Sequence, residues 1–96
     1  MKSFYTRVNG NSMFPCLKHN DKIEIRDVQI EKLKVKDIIC FYKYEEHFTI
    51  HRIISISTID GKPIFNTKGD NNDYIDKYNV NGNEIIGMVF LVNNQR

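Results

Sequence analysis

Alanine and tryptophan are missing from the chain, while isoleucine, asparagine and lysine abound. That bias points to an AT-rich genome, as in a low-GC bacterium, and carries no information on function. No apolar run approaches the ~20 residues a membrane-spanning helix needs. The longest are Ile38 to Tyr42 and Met88 to Val92. The start, Met-Lys-Ser-Phe-Tyr-Thr-Arg, has no apolar stretch behind its charge, so no secretory signal is read there. Two cysteines, Cys16 and Cys40, are too few for a disulfide framework. One bridge between them is possible but not required, and reduced, buried thiols are the expected reading. No Cys-x-x-Cys pair exists, which removes the commonest zinc signature. Neither sign of charge dominates. Lys and Arg number 14 and Asp and Glu 12, and their mixing argues against the clustered basic face of a nucleic-acid binder. Repeats, linkers and low-complexity tracts are absent too.

What remains is a 96-residue chain, expected to form one domain over 1–96 with a modest core. Its hydrophobic share of 41% and charged share of 27% are those of an ordinary soluble globular protein. The periodicity is of the strand kind. Lys22 to Arg26 alternates polar and apolar residues. Asp37 to Tyr44 reads as a second strand. Phe48 to Ser57 reads as a third, with Ile50, Arg52, Ile54 and Ile56 on one face and Thr49, His51, Ile53 and Ser55 on the other. Asp60-Gly61 is a hairpin turn signal, and Pro63 to Thr67 is the return strand. Asn81-Gly82-Asn83 is another turn. Ile85 to Val92 is the final strand, continuous enough to be buried on both faces. Gln29 to Leu33 has weak helical character, and Pro15 argues against a long helix near it. Short strands with turn residues between them predict an all-β, barrel-like domain.

Three segments carry chemistry. They are Gly10-Asn11-Ser12-Met13-Phe14-Pro15, Thr49-Ile50-His51-Arg52-Ile53 and Thr67-Lys68-Gly69-Asp70-Asn71-Asn72-Asp73-Tyr74-Ile75-Asp76. They offer a serine, a histidine and aspartates, the parts of an activated hydroxyl nucleophile: attacker, base and orienter. Each residue also has a plainer reading. Ser12 alone would be a turn residue. A lone histidine on a strand is more often structural than catalytic. Gly-Asp-Asn-Asn is rich in groups that bond their own backbone. Cys16 and His19 have a ligand-like spacing, and His47 and His51 fall on one strand face, so a zinc site is a competing reading. It leaves the serine and aspartate segments unexplained, and no metal is assigned. His19, His47 and Asp73 are read as surface residues.

The three segments resemble, in order, the Gly-x-Ser-Met-x-Pro, His-Arg-Ile and Lys-Gly-Asp-Asn-Asn…Asp boxes of the type I signal peptidase family. Val35 to Phe41 is similar to its Gly-Asp-Ile-Val-x-Phe strand, with Lys36 in place of glycine. Glu84 to Val89 is similar to its closing Ile-Ile-Gly-x-Val strand. The likeness runs from about Tyr5 to Val92. It implies coiled antiparallel sheets around a small, partly open barrel. It implies Ser12 as nucleophile, with Met13 packed beneath it, and an oxyanion hole made by the Ser12 N–H with help from position 10. Many relatives have serine there; Gly10 offers no side-chain donor, with Asn11 as a substitute, and losing one such donor costs ~100-fold or more in rate.

A histidine at position 51 resembles the endoplasmic-reticulum, archaeal and sporulation-associated branch, which has histidine where most bacterial relatives have lysine. Imidazole titrates near neutrality and accepts a proton without strong burial. The branch pattern implies Asp76 as the carboxylate facing His51. Asp70 is the alternative, assigned here to loop structure and to pairing with Arg52.

The implied function is a serine endopeptidase cleaving signal or leader peptides through Ser12, His51 and Asp76, without a cofactor. Its substrate would lie as an extended strand. A membrane protein or transporter is the expected further partner, and no nucleic acid is. Members of the family usually carry a membrane anchor ahead of the serine. None precedes Ser12 here, so an anchorless, cytoplasmic or peripherally membrane-associated protein is expected. Phe4, Tyr5 and Phe14 are candidates for touching a membrane or partner, though scattered aromatics usually belong to a core. A catalytically weak peptide-binding module on the same fold is the alternative. A self-cleaving repressor domain ranks lower, because no DNA-binding domain or internal cleavage segment is visible.

Overall fold

The computed structural model describes residues 2–43 and 47–92. Tyr44, the expected end of the second strand, lies outside them. Seven strands are present: β1 (Ser3–Arg7), β2 (Lys22–Arg26), β3 (Ile38–Lys43), β4 (His47–Ile59), β5 (Lys62–Lys68), β6 (Asn79–Asn81) and β7 (Ile85–Leu91). They form one antiparallel sheet in the order β1-β2-β7-β3-β4-β5-β6. The fold is all-β, and the end strands β1 and β6 do not pair, so the sheet is not closed into a barrel. Single 3-10 turns at Ile30–Lys32 and Gly82–Glu84 are the sole helical pieces among the described residues. None of these is long and apolar enough to cross a membrane.

Strand alternation builds two cores. Side chains on a strand point to opposite faces in turn. In β3, Cys40 therefore joins Val8, Met13, Leu17, Ile23, Ile25 and Val89 on one face. Ile39 and Phe41 join Leu33, Ile53, Phe65 and Val80 on the other. A bulge opposite Cys40/Phe41 in the β3–β7 pairing lets Ile85 and Met88 serve the same core although three residues apart. Burial pushes the Cys40 thiol up to about 12, an inert group. Cys16 departs from expectation: it is exposed and sits in a turn, because the segment after Ser12 forms no strand.

The β4–β5 turn is as the sequence predicts. Asp60 and Gly61 have φ of 52° and 77°, the left-handed pair that matches strand twist in a two-residue hairpin. The expected alternation along β4 holds through Ile53. A bulge between Ile53 and Ser55 then ends it, and Ile54 and Ile56 both face solvent. Phe4, Tyr5 and Phe14, the candidates for touching a membrane or partner, are all exposed and not part of a core. β1 pairs on one edge only, with β2, and all five of its residues are exposed.

Lys36 occupies the position where the resembled strand has glycine. Its φ of 85° lies in the left-handed region that glycine favours. A lysine thus adopts a backbone conformation that glycine favours. Lys36 N–H donates to Ile53 O at 2.9 Å, and Lys36 O accepts from Arg52 Nη1 at 2.7 Å.

Candidate active site

Ser12 sits in the long connection between β1 and β2. At the base of that connection, Val8 N–H donates to Asp21 O at 2.9 Å and Asn20 N–H to Val8 O at 2.7 Å. Met13 and Leu17 are fully buried beneath the connection, and the Phe14–Pro15 peptide is cis. Met13, the residue expected under the serine, is buried in the core with Val8, Leu17 and Cys40. Its Sδ also accepts the Asp70 N–H at 3.4 Å.

The segment after β5 clamps the serine from the other side. Asn71 N–H donates to Ser12 O at 2.8 Å, and Asn71 Nδ2 donates to Asn11 O at 3.1 Å. A Cβ added at Gly69 would come 2.7 Å from Ser12 O, so this close approach needs glycine. Ser12 is half-buried at the rim of a cleft of about 250 Å3 that it lines together with Thr6, Arg7, Phe48, Thr49 and Ile50. Pairing of β4 with β5 starts only at Arg52. Among the described residues, the first part of β4 therefore pairs with β3 alone and presents its other backbone edge beside this cleft.

His51 projects from β4 toward the same core as Ile53. It is 7% exposed and meets the Phe41 ring edge-on at 6.2 Å. Its Nδ1 is 2.6 Å from Asp76 Oδ2. Thr67 is completely buried and donates its hydroxyl to that same oxygen at 2.7 Å, while Asp76 N–H donates to Thr67 O at 2.8 Å. A ring held at Nδ1 by a carboxylate has Nε2 free to act. Nε2 has no hydrogen-bond partner among the described residues. No buried side-chain nitrogen or oxygen among them is left unpartnered, so Nε2 retains access to solvent.

Asp70 turns away from His51 Nδ1 and takes Arg52. Arg52 Nε donates to Oδ1 at 2.8 Å and Nη2 to Oδ2 at 2.7 Å, a two-pronged pair. This guanidinium holds the Asp70 carboxyl below the usual range, and the hydrogen bonds and charge of Asp70 raise Arg52 in turn. Arg52 also reaches Cys16 Sγ at 3.4 Å. One residue thus ties the strand of His51, the Asp70 segment and the serine connection together. Asp73 is exposed.

Ser12 Oγ and His51 form no hydrogen bond in the structure, and Asp70 reaches the serine connection through the bond of its N–H to Met13 Sδ. The expected oxyanion pair is only half available. Gly10, at φ 95°, gives its N–H to His19 Nδ1 at 2.9 Å, leaving the Ser12 N–H as the uncommitted donor of the two. The Gly10 N–H, at the position expected to help the oxyanion hole, is thus engaged by His19 in the structure.

Thr67 and the loop contact of His19 are what sequence reading missed. Thr67 falls on the inward face of its strand directly before the Lys-Gly-Asp box, a pattern that marks it as buried. No sequence signal links His19 to Gly10. Among the described residues, no group of three or more His, Cys, Asp or Glu is gathered to hold a metal. The His47 side chain lies outside the description. Compared with protein family models, curated proteins and solved structures, the chain finds no match.

Proposed function

We propose that this chain is a signal-peptidase-like serine endopeptidase acting through Ser12, His51 and Asp76 on signal or leader peptides. The observation that carries the reading is the buried 2.6 Å contact of His51 Nδ1 with Asp76 Oδ2, which leaves Nε2 open. In this reading Ser12 Oγ attacks the scissile carbonyl carbon and its proton passes to His51 Nε2. Asp76 steadies the imidazolium. The Ser12 N–H faces the oxyanion. The C–N bond then breaks as His51 returns the proton to the leaving amine, and water releases the acyl group by the same route. The substrate lies extended against the free edge of β4 beside the cleft, held by main-chain hydrogen bonds. Hydrogen bonds between nucleophile and base commonly tighten only in the substrate complex, so the unbonded Ser12 hydroxyl is compatible with this chemistry. The exposed Phe4, Tyr5 and Phe14 support a membrane or membrane-protein partner near the peptide.

The second reading is a peptide-binding module without turnover. It is favoured by the missing Ser12–His51 hydrogen bond and by the engaged Gly10 N–H. Reaction with a fluorophosphonate, read by intact mass, decides between them. A single adduct lost in Ser12→Ala and strongly reduced in His51→Ala supports the peptidase. No adduct on the folded protein supports the binding module.

A further inference from the structure

The connection carrying Ser12 is held tightly from Asn11 onward, where Asn11 O accepts from Asn71 Nδ2 at 3.1 Å and from Phe14 N–H at 3.1 Å, while Gly10 before it has a single tie. Asn71 bonds the Ser12 carbonyl, and the buried Met13 and Leu17 anchor the residues after it. Ahead of Asn11 the chain is held less. Beyond the clasp at Val8, the bond from Gly10 N–H to His19 Nδ1 is the one cross-loop tie of Gly10 among the described residues. Nothing packs on the side where a Cβ would stand at Gly10: one built there meets nothing within 4 Å. Glycine at φ 95° also has more conformations open to it than any other residue. Its backbone direction, and with it the approach of the chain to Ser12, depends on that acceptor.

We propose that His19 is a positioning residue for the nucleophile. Its neutral ring, protonated on Nε2, fixes Gly10 and thereby sets the orientation of Ser12. The inference rests on Ser12 being the reactive group of the proposed peptidase. Its own support is the geometry of the loop. His19 is already placed for the task, because Asn20 N–H is bonded to Val8 O and Arg7 Nη1 donates to Asn20 O at 2.9 Å, which locks the chain beside it.

The test compares wild type with His19→Ala and His19→Asn. Asparagine offers an Oδ1 acceptor close to where Nδ1 stands, and alanine offers none. Amide NMR shifts and hydrogen exchange at Gly10 and Ser12 are read with the ring nitrogen shifts of His19, and the rate of fluorophosphonate labelling is read in parallel. The expected result is Nε2–H imidazole in wild type and loss of Gly10 protection in His19→Ala. Labelling falls about tenfold in His19→Ala, the size expected of a lost hydrogen bond that orients a reacting group. In His19→Asn, protection returns and labelling comes within about threefold of wild type. The proposal is overturned if Gly10 and Ser12 amides are unchanged in His19→Ala, or if His19→Asn matches His19→Ala at equal melting temperature. Should wild type itself not react, the peptidase reading fails, while the amide comparison still judges whether His19 holds the loop.

Discussion

His51 Nδ1 and Asp76 Oδ2 stand 2.6 Å apart in a pocket where both side chains are almost wholly buried. A carboxylate there selects the tautomer with the proton on Nδ1 and favours the imidazolium once a proton is taken up at Nε2.

Asp76→Asn keeps the shape of this contact and removes its charge. The fluorophosphonate labelling rate is expected to fall by at least ~100-fold, as when a triad loses its orienting carboxylate. Asp70→Asn should leave far more reactivity, since Asp70 bonds Arg52 and not His51. Equal losses in the two variants would refute the assignment of Asp76.

Asp70 is a stability residue. Its pair with Arg52 is partly exposed, with side chains at 22% and 26% for Asp70 and Arg52, so the loss in Asp70→Asn is set below that of a fully buried pair, at about 1–3 kcal/mol. Arg52 lowers the folded-state pKa of Asp70 beneath its unfolded value. The pair's stabilisation is therefore complete above the ordinary aspartate value of about 4 and is lost as pH falls through the lower folded value. Urea unfolding between pH 6 and 3 should show a steeper decline for wild type than for Asp70→Asn. Parallel curves would contradict this.

Gly69→Ala places a methyl group 2.7 Å from Ser12 O and Asn72 Nδ2. The Asn72 side chain can swing aside, but the backbone of Ser12 must move. A displacement near 1 Å at a reacting group costs ~100-fold in rate. Labelling should drop by that order while the far-ultraviolet spectrum stays that of wild type. Normal labelling would show that the close approach does not govern the serine.

Lys36→Gly should stabilise the protein. A side chain at φ 85° costs about 1–2 kcal/mol in local strain. The added freedom of glycine in the unfolded chain offsets up to about 1 kcal/mol of that. A net gain of about 0.5–1 kcal/mol corresponds to a few degrees in Tm. Lys36→Ala, which keeps a Cβ, serves as the control and should not rise. If both rise alike, the effect belongs to the lysine side chain and not to the backbone.

Alternation was sufficient for β2 and for β4 as far as Ile53, while β3, β5 and β7 were legible from apolar runs and the turn signals that bound them. It failed for β1, all of whose residues are exposed, and for β6, which has three residues and no period to detect. The site was legible as a set of residues: Ser12, His51, Arg52, Asp70 and Asp76 stand in the chain as three compact segments. Which carboxylate would face the histidine was a matter of pattern only.

The sequence by itself determined the all-β class, the Asp60-Gly61 hairpin and the serine, histidine and aspartate available for chemistry, since strand period and turn preference are local properties of the backbone. Tertiary structure alone decided that Asp76 and Thr67 meet His51, that Asp70 goes to Arg52, and that His19 takes the Gly10 N–H. These contacts join positions 9 to 25 residues apart. The direction of a loop carboxylate or amide is set by which buried donor or acceptor the folded chain brings within reach, and no local preference encodes that.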